Sequence, residues 1–264
     1  MVIIMNVLFT GARSGIAKST IDKLLKKDYT IFLTVRTDEQ LKAIEKEYKD
    51  IKNVKCFKLD ITDPEDRKKV EDLDIDILVS NAAVCFGGSI AEIPFEYVRE
   101  NFNVNVFGTF ELIQVVLKNM IKKDKGKIII MGSLAGVMPI SFMGVYCSTK
   151  AAINTLATTL KNEMKLISNN IDIILIEPGL YHTGFNQLMA ENKYDWMQKS
   201  SYFKNQIPKI KAKEKLMFEL MEKEKLNTIT DKIIEAIETD KPSFIYRAPT
   251  SHVISAKIYD LLNR

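Results

Sequence analysis

Short, nearly unbroken apolar runs alternate with longer stretches whose apolar residues recur every three to four positions, and this alternation fills the first two-thirds of the chain. The runs Ile3–Thr10, Thr30–Val35, Val54–Leu59, Ile75–Ser80, Lys127–Gly132 and Ile171–Glu177 read as strands. Several are almost pure Ile, Val and Leu, as expected of strands covered on both faces of a parallel sheet. The stretches Ile16–Lys27, Glu39–Lys49, Pro64–Glu71, Tyr97–Lys122 and Tyr146–Ile167 read as helices, and a helix at Thr230–Thr239 precedes a last strand at Ser243–Tyr246. Strands alternating with helices in this way predict an α/β fold: a doubly wound parallel sheet with helices on both sides.

The rhythm lapses between about residues 185 and 227, a Lys- and Met-rich stretch with Pro208 in its middle. It is long for a connection inside a compact domain. We read residues 1–264 as one dinucleotide-binding catalytic domain carrying a helical substrate lid there; a solvated surface helix pair fits the same composition.

Composition narrows the class. The 264 residues are 46% hydrophobic and 27% charged, enough apolar material for a sizeable core. A net charge of +4 from 38 basic and 34 acidic residues is too small for a nucleic-acid binder on charge alone. Three scattered cysteines and two histidines indicate neither a disulfide framework nor a metal site. Apolar stretches are too short for a membrane span, and Met1–Phe9 lacks a basic leader, so a cytoplasmic protein is expected.

The first strand runs into Thr10-Gly11-Ala12-Arg13-Ser14-Gly15-Ile16-Ala17, where a helix begins. Glycine in such a turn lets backbone approach a pyrophosphate, and the helix N-terminus then offers unpaired N–H groups and a positive dipole end. Gly11 serves the tight turn and Gly15 the close approach, while Ala17 is small enough for close helix–strand packing. The spacing is GxxxGxA rather than GxGxxG, and two glycines alone can mean only a turn. The second strand ends in Val35-Arg36 rather than an acidic residue. Val35 cannot hold a ribose diol, whereas Arg36, with Arg13 as a second cation, can pair with a 2′-phosphate. NADP(H) is therefore expected over NAD(H), with a solvated strand-end arginine as the plain alternative.

The strand ending at Met131 is followed by Gly132-Ser133, and later Tyr146 and Lys150 stand one helical turn apart on one face. A free tyrosine titrates near pH ~10, and a neighbouring ammonium is expected to pull that value toward neutrality. A strand-end serine can share the substrate oxygen with the phenol. YxxxK by itself is common on helix surfaces; the combination with Ser133 and the glycine turn is what gives it meaning.

With these residues in order, the chain resembles the short-chain dehydrogenase/reductases, over roughly residues 3–184 and more loosely beyond. Thr10, Gly11, Gly15 and Ala17 stand where that family has its TGxxxGxG turn. Asp60, beside Ile61, matches the acid at the adenine. Asn81-Ala82-Ala83 matches the NNAG segment, Asn105 the helix asparagine that positions a relay water, and Ser133, Tyr146 and Lys150 complete the tetrad. Pro178-Gly179 and Thr183 match the PGxxxT segment along the nicotinamide. Ala17, Ser80 and Ala83 replace residues of the usual motifs with other small ones. The tail Ser255–Arg264 does not look like that of the family's acyl-carrier-protein reductases.

The resemblance implies a Rossmann-type fold and hydride transfer between NADP(H) and a carbonyl or secondary alcohol. Its cofactor contacts would be Thr10, Gly11, Arg13, Ser14, Gly15, Ile16, Arg36, Asp60, Ile61, Asn81, Ala82, Tyr146, Lys150, Pro178, Gly179 and Thr183. In this reading Tyr146 protonates the alkoxide, Ser133 hydrogen-bonds it, Lys150 lowers the tyrosine pKa, and Asn105 carries the water. Val84–Ser89, Leu134–Met143 and Leu180–Asn186 would wall the substrate site. Phe86, Met138, Phe142, Met143, Tyr181 and Phe185 among them favour a hydrophobic ketone or aldehyde, and His182 reads as a loop residue. A homodimer through the helices Tyr97–Lys122 and Tyr146–Ile167 is the family habit. A non-redox epimerase or dehydratase relative and a cofactor-binding sensor without turnover are the other classes.

Overall fold

The computed structural model describes residues 4–263, so the expected strand start at Ile3 lies outside the described residues. The strands are β1 (Met5–Phe9), β2 (Tyr29–Val35), β3 (Val54–Lys58), β4 (Ile77–Ser80), β5 (Gly126–Met131), β6 (Ile171–Pro178) and β7 (Ile245–Ala248). They form one parallel sheet in the order β3-β2-β1-β4-β5-β6-β7. The expected doubly wound fold is thus present, and every expected strand falls within a few residues of its place.

Side-chain alternation splits the core between the two faces. Val7, Phe9, Ile31, Leu33, Ile129, Ile174 and Ile176 point to one face, where α1 (Gly15–Leu24), α2 (Asp38–Tyr48) and α9 (Asn227–Glu238) pack. Leu8, Leu78, Ile128, Ile130, Ile173 and Leu175 point to the other, under α3 (Pro64–Glu71), α5 (Thr109–Lys123) and α6 (Gly144–Met164). Neither face sees water, which is why these strands read as continuous apolar runs rather than as alternating ones.

Helix α4 (Phe95–Phe102) and α5 are joined through a π-helical turn, Asn103–Gly108. Within the run Phe95–Lys123 an 18-residue stretch reaches a mean hydropathy of 1.2, by length and composition enough to cross a membrane. It is no clear membrane span, because Glu111, Gln114, Lys118 and Asn119 interrupt the apolar residues. The apolarity serves the core instead: Leu112, Ile113, Val116, Leu117 and Met120 of α5 are buried against the sheet.

Residues 185–221 form two helices, α7 (Phe185–Ser200) and α8 (Ile207–Met221), linked by a short 3-10 turn. Their neck closes on itself: His182 N donates to Lys223 O at 3.0 Å and Lys223 N to Leu180 O at 3.1 Å. Glu222 accepts bonds from Asn186 and Gln187 and meets His182 Nδ1 at 2.9 Å. The pair is fastened to the main body as well. Trp196 donates to Gly87 O at 3.3 Å and lies so close over Gly88 that a Cβ there would come within 2.3 Å of its ring. Lys193, fully buried, pairs with Glu214 across the two helices. A C-terminal helix, α10 (Thr250–Leu262), was not expected from the sequence. Its apolar residues Ile254, Ile258, Leu261 and Leu262 stand at helical spacing and are exposed.

Candidate active site

In a doubly wound sheet the chain reverses direction beside β1, and the carboxyl ends of β1 and β4 splay apart to leave a crevice. A crevice of about 670 Å³ opens there, and sixteen of the eighteen expected site residues border it. Gly11 and Gly15 both have left-handed backbone, φ +64° and +62°. A Cβ at Gly11 would lie 3.0 Å from Ala82 Cα, and one at Gly15 would lie 3.1 Å from Thr183 Cβ. The turn therefore needs glycine for both its angles and its space. Helix α1 starts at Gly15 with Ser14 as N-cap, whose side chain makes no capping bond, so the first N–H groups face the crevice unpaired by it.

At the adenosine end, Arg13 and Arg36 both border the crevice. The Arg36 guanidinium approaches Glu100 only to 3.9 Å, with both side chains about half exposed; such a pair holds it weakly. Val35 is buried at the end of β2, where it also borders the crevice. The glycine turn and the helix end facing the crevice together fit a dinucleotide. Asp60 borders the crevice with its carboxylate held by Thr62 N and Oγ1 at 2.9 and 2.7 Å.

Two expected contacts prove to be supports. Thr10 is fully buried, and its Oγ1 accepts from Asn81 N and Ala82 N, both at 2.9 Å. It clamps the post-β4 segment to the glycine turn and is not among the side chains bordering the crevice. Asn105, also buried, accepts from Val84 N and donates to Val84 O, both at 2.8 Å, and donates to Thr149 Oγ1 at 3.1 Å. With both ends of its carboxamide engaged, this side chain positions the loop after β4.

Ser133, Tyr146 and Lys150 converge on the crevice. Ser133 Oγ accepts from Ala135 N at 3.1 Å and hydrogen-bonds the Tyr146 side chain. Lys150 Nζ donates to Met131 O at 2.8 Å and sits 5.7 Å from the centre of the Tyr146 ring. The expected acidification of the phenol is not what the geometry gives. Burial, reinforced by Cys85 and Cys147, drives the Tyr146 pKa upward, and the Ser133 bond offsets this only in part. Burial acts on Lys150 in the opposite sense and brings its pKa down to about 8. A charged phenolate would be stranded away from water, which outweighs an ammonium whose proton is spent on the Met131 carbonyl.

The fold gathers expected wall residues around the phenol and adds Cys147, which sequence reading left unassigned. Cys85 and Cys147, far apart in the chain, share a buried apolar cluster with Met143 and Tyr146. Phe185, at the start of α7, lies 6.0 Å from the Tyr146 ring, centre to centre. Phe142 faces away from the crevice and packs edge-on against Phe203 at 5.3 Å, correcting its assignment to the substrate wall. Phe86, Met138, Met143, Tyr181 and Phe185 do border the crevice.

His252 is the clearest omission. It is buried, borders the crevice, and accepts the Leu180 N–H on Nδ1 at 3.2 Å, just beyond the Pro178-Gly179 segment. Burial and the charge of Lys223 hold its pKa below the ordinary value. The folded state thus favours the neutral ring while the unfolded chain binds the proton more readily. The ring's stabilisation is complete above about pH 6.5 and is lost as pH falls toward the lower folded value. Between about pH 7 and pH 5, Tm is expected to fall more steeply for the wild type than for His252→Gln. Parallel Tm curves would remove this role.

A family model described as short chain dehydrogenase matches residues 5–194. An NADPH-dependent 3-dehydrocapnine reductase from Ornithobacterium rhinotracheale is 34% identical over 64% of this chain and 63% of its own. A 3-ketodihydrosphingosine reductase from Bacteroides thetaiotaomicron is 31% identical over 68% of this chain and 65% of its own. The chain thus spans slightly under two thirds of both relatives. A solved short-chain dehydrogenase/reductase from Burkholderia phymatum, in complex with NAD, superposes with a TM-score of 0.81 over 96% of this chain and 92% of its own. At 18% identity, that likeness speaks for the fold alone.

Proposed function

The chain belongs to the short-chain dehydrogenase family, and from that premise we propose that it moves a hydride between NADP(H) and the carbonyl or alcohol carbon of a hydrophobic substrate. The observation that carries this reading is that Ser133, Tyr146 and Lys150 border the same crevice as the glycine turn and both arginines. The dinucleotide, when bound, supplies or accepts the hydride. The α1 N-terminus would hold its pyrophosphate, and Arg13 with Arg36 its 2′-phosphate.

In the reducing direction Tyr146 gives its phenolic proton to the substrate oxygen, and Ser133 hydrogen-bonds that oxygen as charge develops. The raised pKa keeps the phenol protonated at neutral pH, so the donor is loaded before turnover. Lys150 is an ammonium below about pH 8 and stabilises the phenolate as the proton leaves. Asn105 acts through Val84, fixing the loop that borders the site.

Reduction rates are therefore expected to fall as pH rises through about 8, where Lys150 loses its charge. Lys150→Arg keeps a cation at higher pH and should move that limb upward. A limb that stays in place would assign it to another group.

The apolar wall of Phe86, Met138, Met143, Tyr181 and Phe185 supports a hydrophobic carbonyl, with α7 and α8 acting as its lid. Two relatives named as reductases of 3-dehydro and 3-keto compounds support a ketone and the reducing direction. The decisive assay follows NADPH absorbance against ketones and aldehydes of graded hydrophobicity, with NADH alongside. Oxidation that strengthens with apolar size is expected. An inert panel would favour a sensor, and product without net oxidation would favour an epimerase. A homodimer through α4–α5 and α6 belongs to the same reading, supported by exposed Phe95, Phe107 and Leu156 on those helices.

A further inference from the structure

Helix α8 has two faces of different character. Its inner face packs into the molecule: Phe218 lies against the cluster of Cys85 and Tyr146, Ile207 and Ile210 pack beside Trp196, and Met221 borders the crevice. Lys209, Lys213, Leu216 and Leu220 recur at the spacing of a single stripe and are all exposed. Leu216 is 55% and Leu220 73% exposed, and Tyr202, shortly before the helix, is 84% exposed. Of the helix's two carboxylates, Glu214 is turned inward to Lys193 and Tyr194, and Glu219 lies beside the stripe near Lys215 at 3.7 Å. The outer stripe thus combines leucine and lysine without an acid.

We infer that this outer face of α8 is a docking surface for an anionic phospholipid bilayer. A helix of this kind lies in the plane of the interface, with its apolar side chains at the headgroup–acyl boundary and its lysines toward lipid phosphates. Tyr202 suits the same boundary, with an apolar ring and a polar tip. Charge chooses between the occupants. Lys209 and Lys213 stand on the stripe with no acid among its residues, and an anionic surface complements them. Two leucines anchor weakly, so the lysines are required and the attachment is sensitive to salt. The docked helix would separate the bilayer from the crevice, with Phe218 and Met221 on its far side.

The test is co-sedimentation of the whole protein with phosphatidylglycerol-containing vesicles and with pure phosphatidylcholine vesicles, at low and high salt, without dinucleotide or carbonyl. Pelleting with the anionic vesicles alone, reversed by salt, is expected. Leu216→Glu/Leu220→Glu and Lys209→Glu/Lys213→Glu should each lower the bound fraction by on the order of tenfold. Unchanged Tm values for both variants, and unchanged NADPH oxidation with a water-soluble carbonyl, serve as controls for folding. Wild-type protein left in the supernatant would overturn the inference, as would variants that pellet like the wild type. A wild-type dimer that both variants convert to monomer would make this face a self-association surface and overturn it as well. Because binding is read without turnover, its failure leaves the reductase reading standing, and the reverse also holds.

Discussion

Tyr146→Phe is expected to lower kcat for carbonyl reduction by roughly 10²–10⁴-fold, the usual range for removing a positioned general acid, while NADPH binding changes little. The substitution deletes one oxygen and keeps the ring, so the packing against Phe185, Met143, Cys85 and Cys147 survives. The hydroxyl is the only proton donor on that side chain, and Ser133 can still hydrogen-bond the substrate oxygen. Loss of rate with retained binding is what separates an acid from a structural tyrosine. Single-turnover rates and an NADPH fluorescence titration measure the two quantities separately. A variant keeping more than about a tenth of the wild-type rate would take the acid role from Tyr146.

Arg36→Ala should weaken NADPH by about 10- to 100-fold and leave NADH nearly unchanged. Hydrogen bonds to a charged partner are worth roughly 1.5–3 kcal/mol, and each ~1.4 kcal/mol is tenfold in affinity. The half-exposed setting puts the effect toward the lower end. Only the weak, half-exposed pair with Glu100 at 3.9 Å holds the guanidinium elsewhere among the described residues. Arg13→Ala should act in the same direction, and the double variant should bring the two cofactors to similar affinity. Equal weakening of NADPH and NADH would leave Arg36 with no phosphate role.

Elements whose pattern answers to the sheet were readable from the chain. Helix α3, Pro64–Glu71, lies where expected because Asp63 caps it and Pro64 opens it. Strands such as β5 and β6 are marked by runs of isoleucine that only double burial explains. Helix α10 was missed because Pro249, directly before it, reads as a break, although Ile254, Ile258, Leu261 and Leu262 recur at helical spacing. The π-helical turn carrying Asn105 was missed too, since nothing in a run of helix-compatible residues marks a widened turn. It passes close to the chain beyond β3, where a Cβ on Gly108 would stand 2.9 Å from Ile61 O.

What the sequence by itself determined is the order of strands and helices, the glycine turn and the one-turn spacing of Tyr146 and Lys150, because all are local or periodic properties of the chain. Only the tertiary structure decided the protonation balance of that pair, the clamping roles of Thr10 and Asn105, and the entry of His252 into the crevice. Each of these depends on which distant groups shut out water or take a hydrogen bond. Desolvation and long-range pairing are set by the packed molecule, and the spacing of residues along a chain does not encode them.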